Sequence, residues 1–388
     1  SRGLGDVYKR QHMDDAIYAD ESIYEYPMQQ GGGNDGRPYS FGRPSSGGSK
    51  AAYPCKSYGQ GRINPAYFYG VFDPNDMRRD VSITMTGSNG KGVEKLIPFV
   101  PNSKAEGGGL TLNKWDENRQ ANPWVAAQRK SGINGPYMRM SEVYLGYAEV
   151  CAALGDVVTG KQYLKTVRER SFPQGLANTD AFIASFGNDL VRAIIEERGF
   201  EYAGEGDRRW TLIRSGYLPE DIKRIKDMTK AMMDGLATKG YYEFENGNII
   251  SAYIWTKLVD AKTIYGHRLT AQCPTDKVND PVLYPGWRGQ KDNWEEMGLN
   301  YGSSTPATNL AIKGLFEIVS EEEAASLESQ GYTKVNWGID LVDNRDEYDK
   351  YLFWDYDYVS APIYLWPFTP NVMAACLLYT SPSPRDCS

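Results

Sequence analysis

The run EGDRRW at positions 205–210 places two carboxylates and two guanidinium groups next to a tryptophan. Groups of these types could form a catalytic acid/base pair, an anion-binding site or a structural ion-pair cluster. Glycoside hydrolysis needs two carboxyl groups on either side of the scissile bond. Glu205 and Asp207 stand only two positions apart on a bend, and the two arginines would keep both of them ionised. The run therefore favours a structural joint between two helices over an active site.

Charged residues on both sides of this run extend it into a predicted ion-pair joint. Carboxylates and arginines at facing helix ends can exchange charge-assisted hydrogen bonds. The large aromatic side chain among them, Trp210, is expected to fill the gap between the helices. The predicted members of the joint are Glu197, Arg198, Glu205, Asp207, Arg208, Trp210 and Arg214.

Other catalytic devices find little support in this sequence. The two histidines, His12 and His267, are not accompanied by a GxSxG motif, so no Ser-His or Cys-His nucleophile is indicated. The cysteines show no CxxC spacing, and the FDPND stretch at 72–76 lacks the third ligand and the glycine of a calcium loop. No catalytic residue, no metal and no cofactor are therefore predicted.

A long loop rich in aromatic residues lies at 284–302, with the sequence YPGWRGQKDNWEEMGLNYG. Tyr and Trp rings offer flat apolar surfaces to the C–H faces of sugars, and neighbouring amide, guanidinium and carboxylate groups can bind the hydroxyls. A sugar-binding platform and an anchor that fixes the loop on the helices are both compatible with this pattern. The candidate ligand-binding residues are Tyr284, Trp287, Arg288, Asn293 and Trp294, with Trp124 and Tyr69 as second candidates.

The elements that would position these residues are mainly helical. Apolar residues at helical spacing predict a helix that begins at Tyr137, and a second helix follows over 159–170. Two helices joined by a short turn form an antiparallel, tetratricopeptide-like pair that expects stacked neighbours. A further helix is predicted after an N-cap at Thr179, with apolar residues up to Ile195. The Asn-Gly pair in the hairpin over 241–255 predicts a type I′ turn.

Composition limits the class of protein. The chain has 388 residues, a formal net charge of −7 and 13% aromatic residues, so no basic face suggests a nucleic-acid partner. The ends, SRGLGDVYKRQ at 1–11 and the tail at 376–388 with CLLYTSPSPRD, are expected to be translated sequencing-adapter sequence around a fragment truncated upstream. Between them we expect a loop-rich ligand-side region at 12–136, a helical region at 137–240, and a region with the hairpin and the aromatic loop at 241–375.

Several segments together resemble the SusD/RagB family. They are YMRMSEVYLGYAEV, the TVRER end of the next helix, IIEERGFEYAGEGDRRWTLIRSG and the closing YLWPF, with FDPNDMRRD and NKWD as looser matches. Their order along the chain is that of the family, and the 205–210 run lies in the most specific segment. The chain departs from the family pattern at Thr211, where an aspartate is frequent, and in WPFTP, where Pro-x-Pro is usual.

The resemblance implies a mainly α fold, in which a tetratricopeptide-like α-superhelix packs under a long irregular loop-rich portion with small β-hairpins. It implies a surface-exposed outer-membrane lipoprotein of Bacteroidetes-type bacteria, anchored through an N-terminal cysteine that this fragment lacks. Such proteins serve polysaccharide utilisation: they bind oligosaccharides for a TonB-dependent, SusC-like transporter, without catalysis and without a cofactor. The alternatives are a peptide-binding member of the same family, an α-helical glycoside hydrolase, and a tetratricopeptide-type adaptor that binds only proteins.

Overall fold

The structure is a computed structural model, and it describes residues 21–29, 62–88, 94–97, 99, 109–112, 114–115, 134–172, 175–260 and 308–346. The helices in this part of the chain are α1 (Pro65–Gly70), α2 (Met77–Ser82), α3 (Met140–Ala153), α4 (Val157–Arg168), α5 (Thr179–Ala184), α6 (Leu190–Glu201), α7 (Asp207–Ser215), α8 (Leu218–Lys239), α9 (Glu321–Ser329) and α10 (Gly338–Asp343). The strands are β1 (Ser22–Tyr26), β2 (Ile83–Thr84), β3 (Thr86–Ser88), β4 (Glu94–Leu96), β5 (Thr111–Leu112), β6 (Gly135–Arg139), β7 (Tyr241–Glu243), β8 (Ile249–Ser251), β9 (Tyr253–Asp260), β10 (Thr308–Lys313) and β11 (Thr333–Asn336). The strands form only small antiparallel sheets, and the predicted mainly α class is confirmed.

Helices α3 and α4 form the predicted tetratricopeptide-like pair, and α6 packs against both of them. Leu145 and Ala148 of α3 meet Leu164 and Val167 of α4 in one buried cluster. The two backbones approach closely, since a Cβ atom at Gly160 would lie 3.0 Å from the carbonyl oxygen of Ala148. Small residues therefore help to hold the pair together, in addition to the burial of apolar side chains.

The first helix of this pair begins later than the sequence predicts. Residues Gly135–Arg139 form β6, which pairs antiparallel with β1, and the helix begins at Met140. Tyr137 therefore stands on a strand, where it is 78% exposed. The pairing with β1 overrides the helical periodicity of the local sequence, which is a weak determinant by comparison.

A second difference lies between α5 and α6, where the sequence predicts one helix. The N-cap of α5 is Asn178 and not Thr179, because the Asn178 side chain accepts a backbone hydrogen bond from the first turn. The chain then turns through Gly187 and Asn188, each with a φ of 65°, and Asp189 caps α6. Asparagine tolerates this left-handed conformation better than most residues. Two short helices therefore replace one long helix.

The main core lies between α1, α8 and the small sheets. Met232, Met233 and Leu236 of α8 point into it, and none is more than 1% exposed. Phe68 of α1 belongs to the same buried cluster. Helix α8 ends at Gly240, whose φ of 78° provides the left-handed C-cap that glycine adopts without strain.

The β7–β8 hairpin forms where it is predicted, but its turn is not of type I′. That type needs a positive φ at both central residues, whereas of the Asn-Gly pair only Gly247 has one. The Gly247 amide donates to the Phe244 carbonyl oxygen at 2.9 Å, and the Phe244 amide donates to the Asn248 carbonyl oxygen at 2.8 Å, as in a three-residue loop with a glycine bulge. The Asn246 side chain favours this geometry because it donates to two backbone carbonyl oxygens at the end of α1, both at 2.8 Å.

Strand β9 is the central strand of a three-stranded antiparallel sheet, with β10 and β11 at its edges. Ile254 on β9 and Leu310 and Ile312 on β10 are buried in the main core. Because side chains alternate along a strand, the residues between them belong to the opposite face of the sheet. One face of this sheet is therefore covered by the core.

The described residues contain neither a membrane span nor a metal cluster. No helix among them is long and apolar enough to cross a bilayer. Nor do three His, Cys, Asp or Glu side chains of this part of the chain come together in a group that could hold a metal ion.

Candidate functional site

The ion-pair joint predicted around 205–210 is part of a larger buried charge network. At its centre lies Glu201, the last residue of α6, whose side chain is fully buried. One carboxylate oxygen accepts from Arg139 Nη1 at 3.0 Å and from Arg170 Nη2, and the other accepts from Arg78 Nη1 at 3.2 Å. Three arginines from separate segments of the chain therefore converge on one carboxylate.

Arg78 connects the centre of this network to α2. Its Nη1 donates to Glu197 Oε1 at 2.6 Å, while its Nε and Nη2 bind the two carboxylate oxygens of Asp76 at 2.9 and 2.7 Å. Arg168 Nη1 donates to the second oxygen of Glu197 at 2.9 Å. The side chains of Arg78 and Glu197 expose nothing to solvent. These charges are therefore stabilised by one another and not by water.

Glu205, the first acid of the EGDRRW run, is held by two cations. Arg139 binds it at two points, with Nη2 2.8 Å from Oε1 and Nε 3.0 Å from Oε2. Lys114 Nζ donates to the same carboxylate, and also to the backbone carbonyl oxygen of Glu201 at 2.7 Å. Burial lowers the pKa of Lys114, and the neighbouring Glu205 carboxylate counteracts this lowering only in part.

A second group of ion pairs joins α6 to α7 and α8. Arg198 Nη2 donates to Asp207 Oδ1 at 2.6 Å. Arg208 Nη2 lies between two carboxylates, 2.9 Å from Glu196 Oε2 and 3.0 Å from Asp221 Oδ1. These contacts fix the corner at which the chain turns from α6 into α7.

The outer members of the predicted joint lie nearer to the surface. Arg214 pairs with Glu149 of α3 at two points, with Nη2 2.9 Å from Oε2, and its side chain is 53% exposed. Trp210 does not fill the gap between the helices, which corrects the prediction: it is 56% exposed. The Arg208 guanidinium instead packs against α6 at Gly199. A Cβ atom at Gly199 would lie 2.7 Å from Arg208 Nη1.

The electrostatics of the network oppose an acid/base role for its carboxylates. Burial alone would raise the pKa of Glu201, but Arg170 and the other two arginines outweigh burial and hold this pKa far below its ordinary value. Burial likewise acts to raise the pKa of Asp221, and Arg208 and its neighbouring arginine lower it. A general acid at neutral pH needs a raised pKa. These carboxylates instead stay ionised as structural partners.

The pKa of Asp340 on α10 is shifted in the opposite direction, above its ordinary value. Partial burial raises the pKa of its carboxyl group, and a hydrogen bond with Asn336 counteracts this in part. The acidic neighbour of Asp340 is Asp343, which lies on the same short helix one turn away. Two carboxyl groups on one turn of a helix do not flank a glycosidic bond from opposite sides, so this pair does not meet the geometry of a glycosidase either.

Tyr69 is not open to a ligand, which corrects its place among the second candidates. Helix α1 turns its ring into the main core, where it exposes no surface and stacks on Phe244 with the ring centroids 6.0 Å apart. Its hydroxyl donates to the Leu315 carbonyl oxygen at 3.0 Å and accepts from Trp337 Nε1 at 2.9 Å. The phenol is therefore satisfied inside the protein.

The other candidate ligand-binding residues lie outside the described part of the chain. They stay predictions, and the choice between a sugar platform and a loop anchor stays open for them. These residues are Tyr284, Trp287, Arg288, Asn293, Trp294 and Trp124.

The charge network also contains residues to which sequence reasoning assigns no role. Glu21 accepts from Arg139 Nη1 at 3.0 Å, although neither residue belongs to the predicted joint. A signal for several of them is nevertheless present, because FDPNDMRRD contains Arg78, NKWD contains Lys114 and TVRER contains Arg170. What the sequence lacks is the information on which of these charges meet.

These features define a tetratricopeptide-like helical protein braced by buried ion pairs. In comparisons with known proteins, the model of the SusD family matches residues 9–367. This chain belongs to the SusD family, and the resemblance found in the sequence is confirmed.

Individual relatives are more distant. The chain is similar to the SusD-like protein P25 of Formosa agariphila, with 28% identity over 160 residues, which cover 41% of this chain and 26% of that protein. A solved SusD homologue from Bacteroides thetaiotaomicron shares 19% identity at a TM-score of 0.39, over 60% of this chain and 47% of that chain. Surface glycan-binding protein A from the same species, solved in complex with laminarihexaose, shares 18% identity at a TM-score of 0.38, over 57% and 47%. The chain thus spans about a quarter of the curated relative and less than half of each solved one.

Proposed function

We propose that this chain is part of a non-catalytic cell-surface protein that captures oligosaccharides and delivers them to a TonB-dependent, SusC-like transporter. A lipid-anchored position on the outer membrane belongs to the same proposal. Membership of the SusD family supports it. The observation that carries the non-catalytic part is the engagement of both acids of the EGDRRW run by cations: Glu205 by Arg139 and Lys114, and Asp207 by Arg198.

The binding part of the proposal is assigned to the aromatic loop at 284–302. Its rings, including Trp287 and Trp294, would stack on the C–H faces of sugar rings, and Arg288 and Asn293 would bind hydroxyl groups. Such a site obtains its affinity from a few aromatic anchors and its selectivity from the polar groups beside them.

The test is glycan binding by the purified chain and by the variants Trp287→Ala and Trp294→Ala. Trp210→Ala is the matched control, since Trp210 is exposed on α7 and lies outside the loop. Isothermal titration calorimetry against a broad glycan panel should show affinity about tenfold or more weaker in each loop variant. The control should bind as the unchanged chain does.

Three outcomes would contradict this proposal. The absence of binding to any glycan of the panel would remove glycan capture. Binding of peptides in place of glycans would assign the chain to the peptide-binding branch of the family. Release of reducing sugar that a single carboxylate substitution abolishes would show a glycoside hydrolase.

A further inference from the structure

The three-stranded sheet carries lysines around a tryptophan on the face that is turned away from the core. In the register of the sheet, Lys313 on β10 and Lys334 on β11 both pair with Trp255 on β9, so the three side chains stand side by side. Tyr253 and Lys257 lie two positions before and after Trp255 and share this face. We name these five residues the Trp255 face.

The lysines of the Trp255 face have no acidic partner among the residues that the structure describes. Lys313 and Lys334 are exposed. Lys257 Nζ donates to the Gln330 carbonyl oxygen at 2.7 Å, and Lys334 Nζ lies 4.2 Å from the centroid of the Tyr253 ring. In a chain with a net charge of −7, ammonium groups without carboxylate partners concentrate a positive potential on this face.

The indole N–H group of Trp255 is a second feature of this face that suits a ligand. The residue is only 6% exposed, and its indole Nε1 is buried with no hydrogen-bond partner in the described part of the chain. The Cε3–Cζ3 edge of the indole lies over Gly314, so the N–H group is on the opposite edge of the ring. A buried donor without an acceptor destabilises the fold, and an acceptor oxygen at this position would remove that cost.

Lys334 lies close to both aromatic rings of the Trp255 face. Its ammonium lies 5.8 Å from the Trp255 ring centroid, in addition to its contact with Tyr253. The attraction between an ammonium group and the partly exposed Tyr253 ring is weak, so an anion can compete for the Lys334 side chain. The flexible Lys334 side chain can therefore turn away from the rings towards an anion.

We propose that the Trp255 face binds a saccharide that carries an anionic group, either the carboxylate of a uronic acid or a sulfate ester. This inference rests on the proposed glycan-binding function and specifies the class of glycan. Two strand spacings separate the Cα atoms of Lys313 and Lys334 by about 10 Å, so their flexible side chains can reach one anionic group from two sides. The Tyr253 ring gives the sugar a surface to stack on, and the Trp255 N–H donates to a ring substituent.

The experiment compares the full chain with the double variant Lys313→Gln, Lys334→Gln. The probes are polygalacturonate for the carboxylate, dextran sulfate for the sulfate ester, and dextran as the neutral reference. The matched control is Lys230→Gln, Lys239→Gln, which removes the same charge from two exposed positions of α8. We expect affinity for an anionic probe to be about tenfold or more weaker in the first variant only, and to fall with rising salt. The probe that binds more tightly identifies the anionic group.

Two substitutions refine this test. The double variant Lys313→Arg, Lys334→Arg keeps both charges and should retain most of the affinity. Trp255→Phe keeps an aromatic ring but removes the N–H donor, and it should weaken anionic probes about fivefold. Unchanged affinity in Trp255→Phe would overturn the assignment of the indole N–H to the ligand.

The failures of the two proposals can be told apart. Equal weakening in both lysine double variants would reflect net charge alone and would overturn this inference. Binding of neutral glycans without binding of either anionic probe would overturn it too, while glycan capture would stand. A chain that binds no glycan of any class would contradict both proposals.

Discussion

Arg78 and Glu197 form an ion pair in the interior of the protein, with Nη1 and Oε1 2.6 Å apart and neither side chain exposed. Removing two charges from water costs several kcal/mol per ion, and a pair recovers this only when its remaining donors and acceptors are also engaged. Here Asp76 binds the other edge of Arg78, and Arg168 binds the second oxygen of Glu197. A network of this kind is far more sensitive to the loss of one member than an ion pair at the surface.

Replacing Glu201 by glutamine should therefore destabilise the protein strongly. The amide keeps the shape of the side chain but removes the charge that faces three guanidinium groups, of which those of Arg78 and Arg139 are buried. We expect the free energy of unfolding, measured by urea denaturation, to fall by about 3–5 kcal/mol. Glu149→Gln is the control, because it affects the partly exposed pair with Arg214 and should cost less than about 1 kcal/mol. Losses of similar size in both variants would contradict this account.

Acid should unfold the protein through the same carboxylates. Burial acts to raise the pKa of Glu201 and of Asp221, but the arginines around them hold both below their ordinary values. Such groups bind fewer protons in the folded than in the unfolded chain. They therefore stabilise the fold above the ordinary pKa of about 4, and this stabilisation is lost as the pH falls from there towards the folded pKa.

We accordingly expect the urea midpoint to be nearly constant between about pH 6 and 7 and to fall below about pH 5. In Glu201→Gln the fall should be shallower, because one of the titrating groups is gone. Urea denaturation curves at a series of pH values measure this dependence. If the urea midpoint falls equally steeply with pH in both proteins, Glu201 does not contribute to the acid sensitivity of the fold.

Replacing two helical glycines by alanine should change the free energy of unfolding in opposite directions. At Gly146 in α3 the space for a Cβ atom is open, whereas at Gly199 in α6 a Cβ atom would lie 2.7 Å from Arg208 Nη1. Gly146→Ala should raise the free energy of unfolding by about 0.5–1 kcal/mol, since alanine favours a helix. Gly199→Ala should lower it by more than about 1 kcal/mol, because the Arg208 guanidinium must shift away from α6 and weaken its hydrogen bonds to Glu196 and Asp221. Thermal denaturation measures both, and shifts of the same sign would refute the packing of Arg208 on α6.

Tyr69→Phe should separate stability from ligand binding. The substitution removes the hydroxyl between the Leu315 carbonyl oxygen and Trp337 Nε1, and it leaves that indole N–H buried without a partner. The expected cost is about 1–3 kcal/mol in the free energy of unfolding. Because the ring lies in the core, the glycan affinity of the folded protein should change by less than about twofold. A loss of affinity like that expected for Trp287→Ala would return Tyr69 to the ligand site.

Much of the helical architecture can be predicted because its causes are local. The apolar periodicity of α3 and α4 and the density of charge before α7 can be read within short windows of sequence. The strand at Tyr137 and the turn at Asn188 cannot, because the first depends on pairing with β1 and the second on two consecutive residues, Gly187 and Asn188, in the left-handed region.

The partners within the charge network are not predictable for the same reason. Glu21 and Arg139 are 118 positions apart, and Lys114 and Glu205 are 91 apart, so no local pattern relates them. Tyr69 illustrates the limit for binding residues. Its residue type suits a sugar platform, but only the packing of α1 decides that its ring enters the core.

The wide sequence separation of the charge network has a consequence for the order in which the protein folds. Helices α3, α4 and α6 can associate through contacts between near neighbours in the chain, which form early and at little entropic cost. Arg78 and Glu197 are 119 positions apart and can meet only after a long loop has closed. Until then α6 cannot exclude water, because it would bury ionised carboxylates without their cations. We expect the segment that contains Arg78 to dock in one late step, in which water is also excluded from the interior. Partly assembled chains then cannot bury the charged residues of α6.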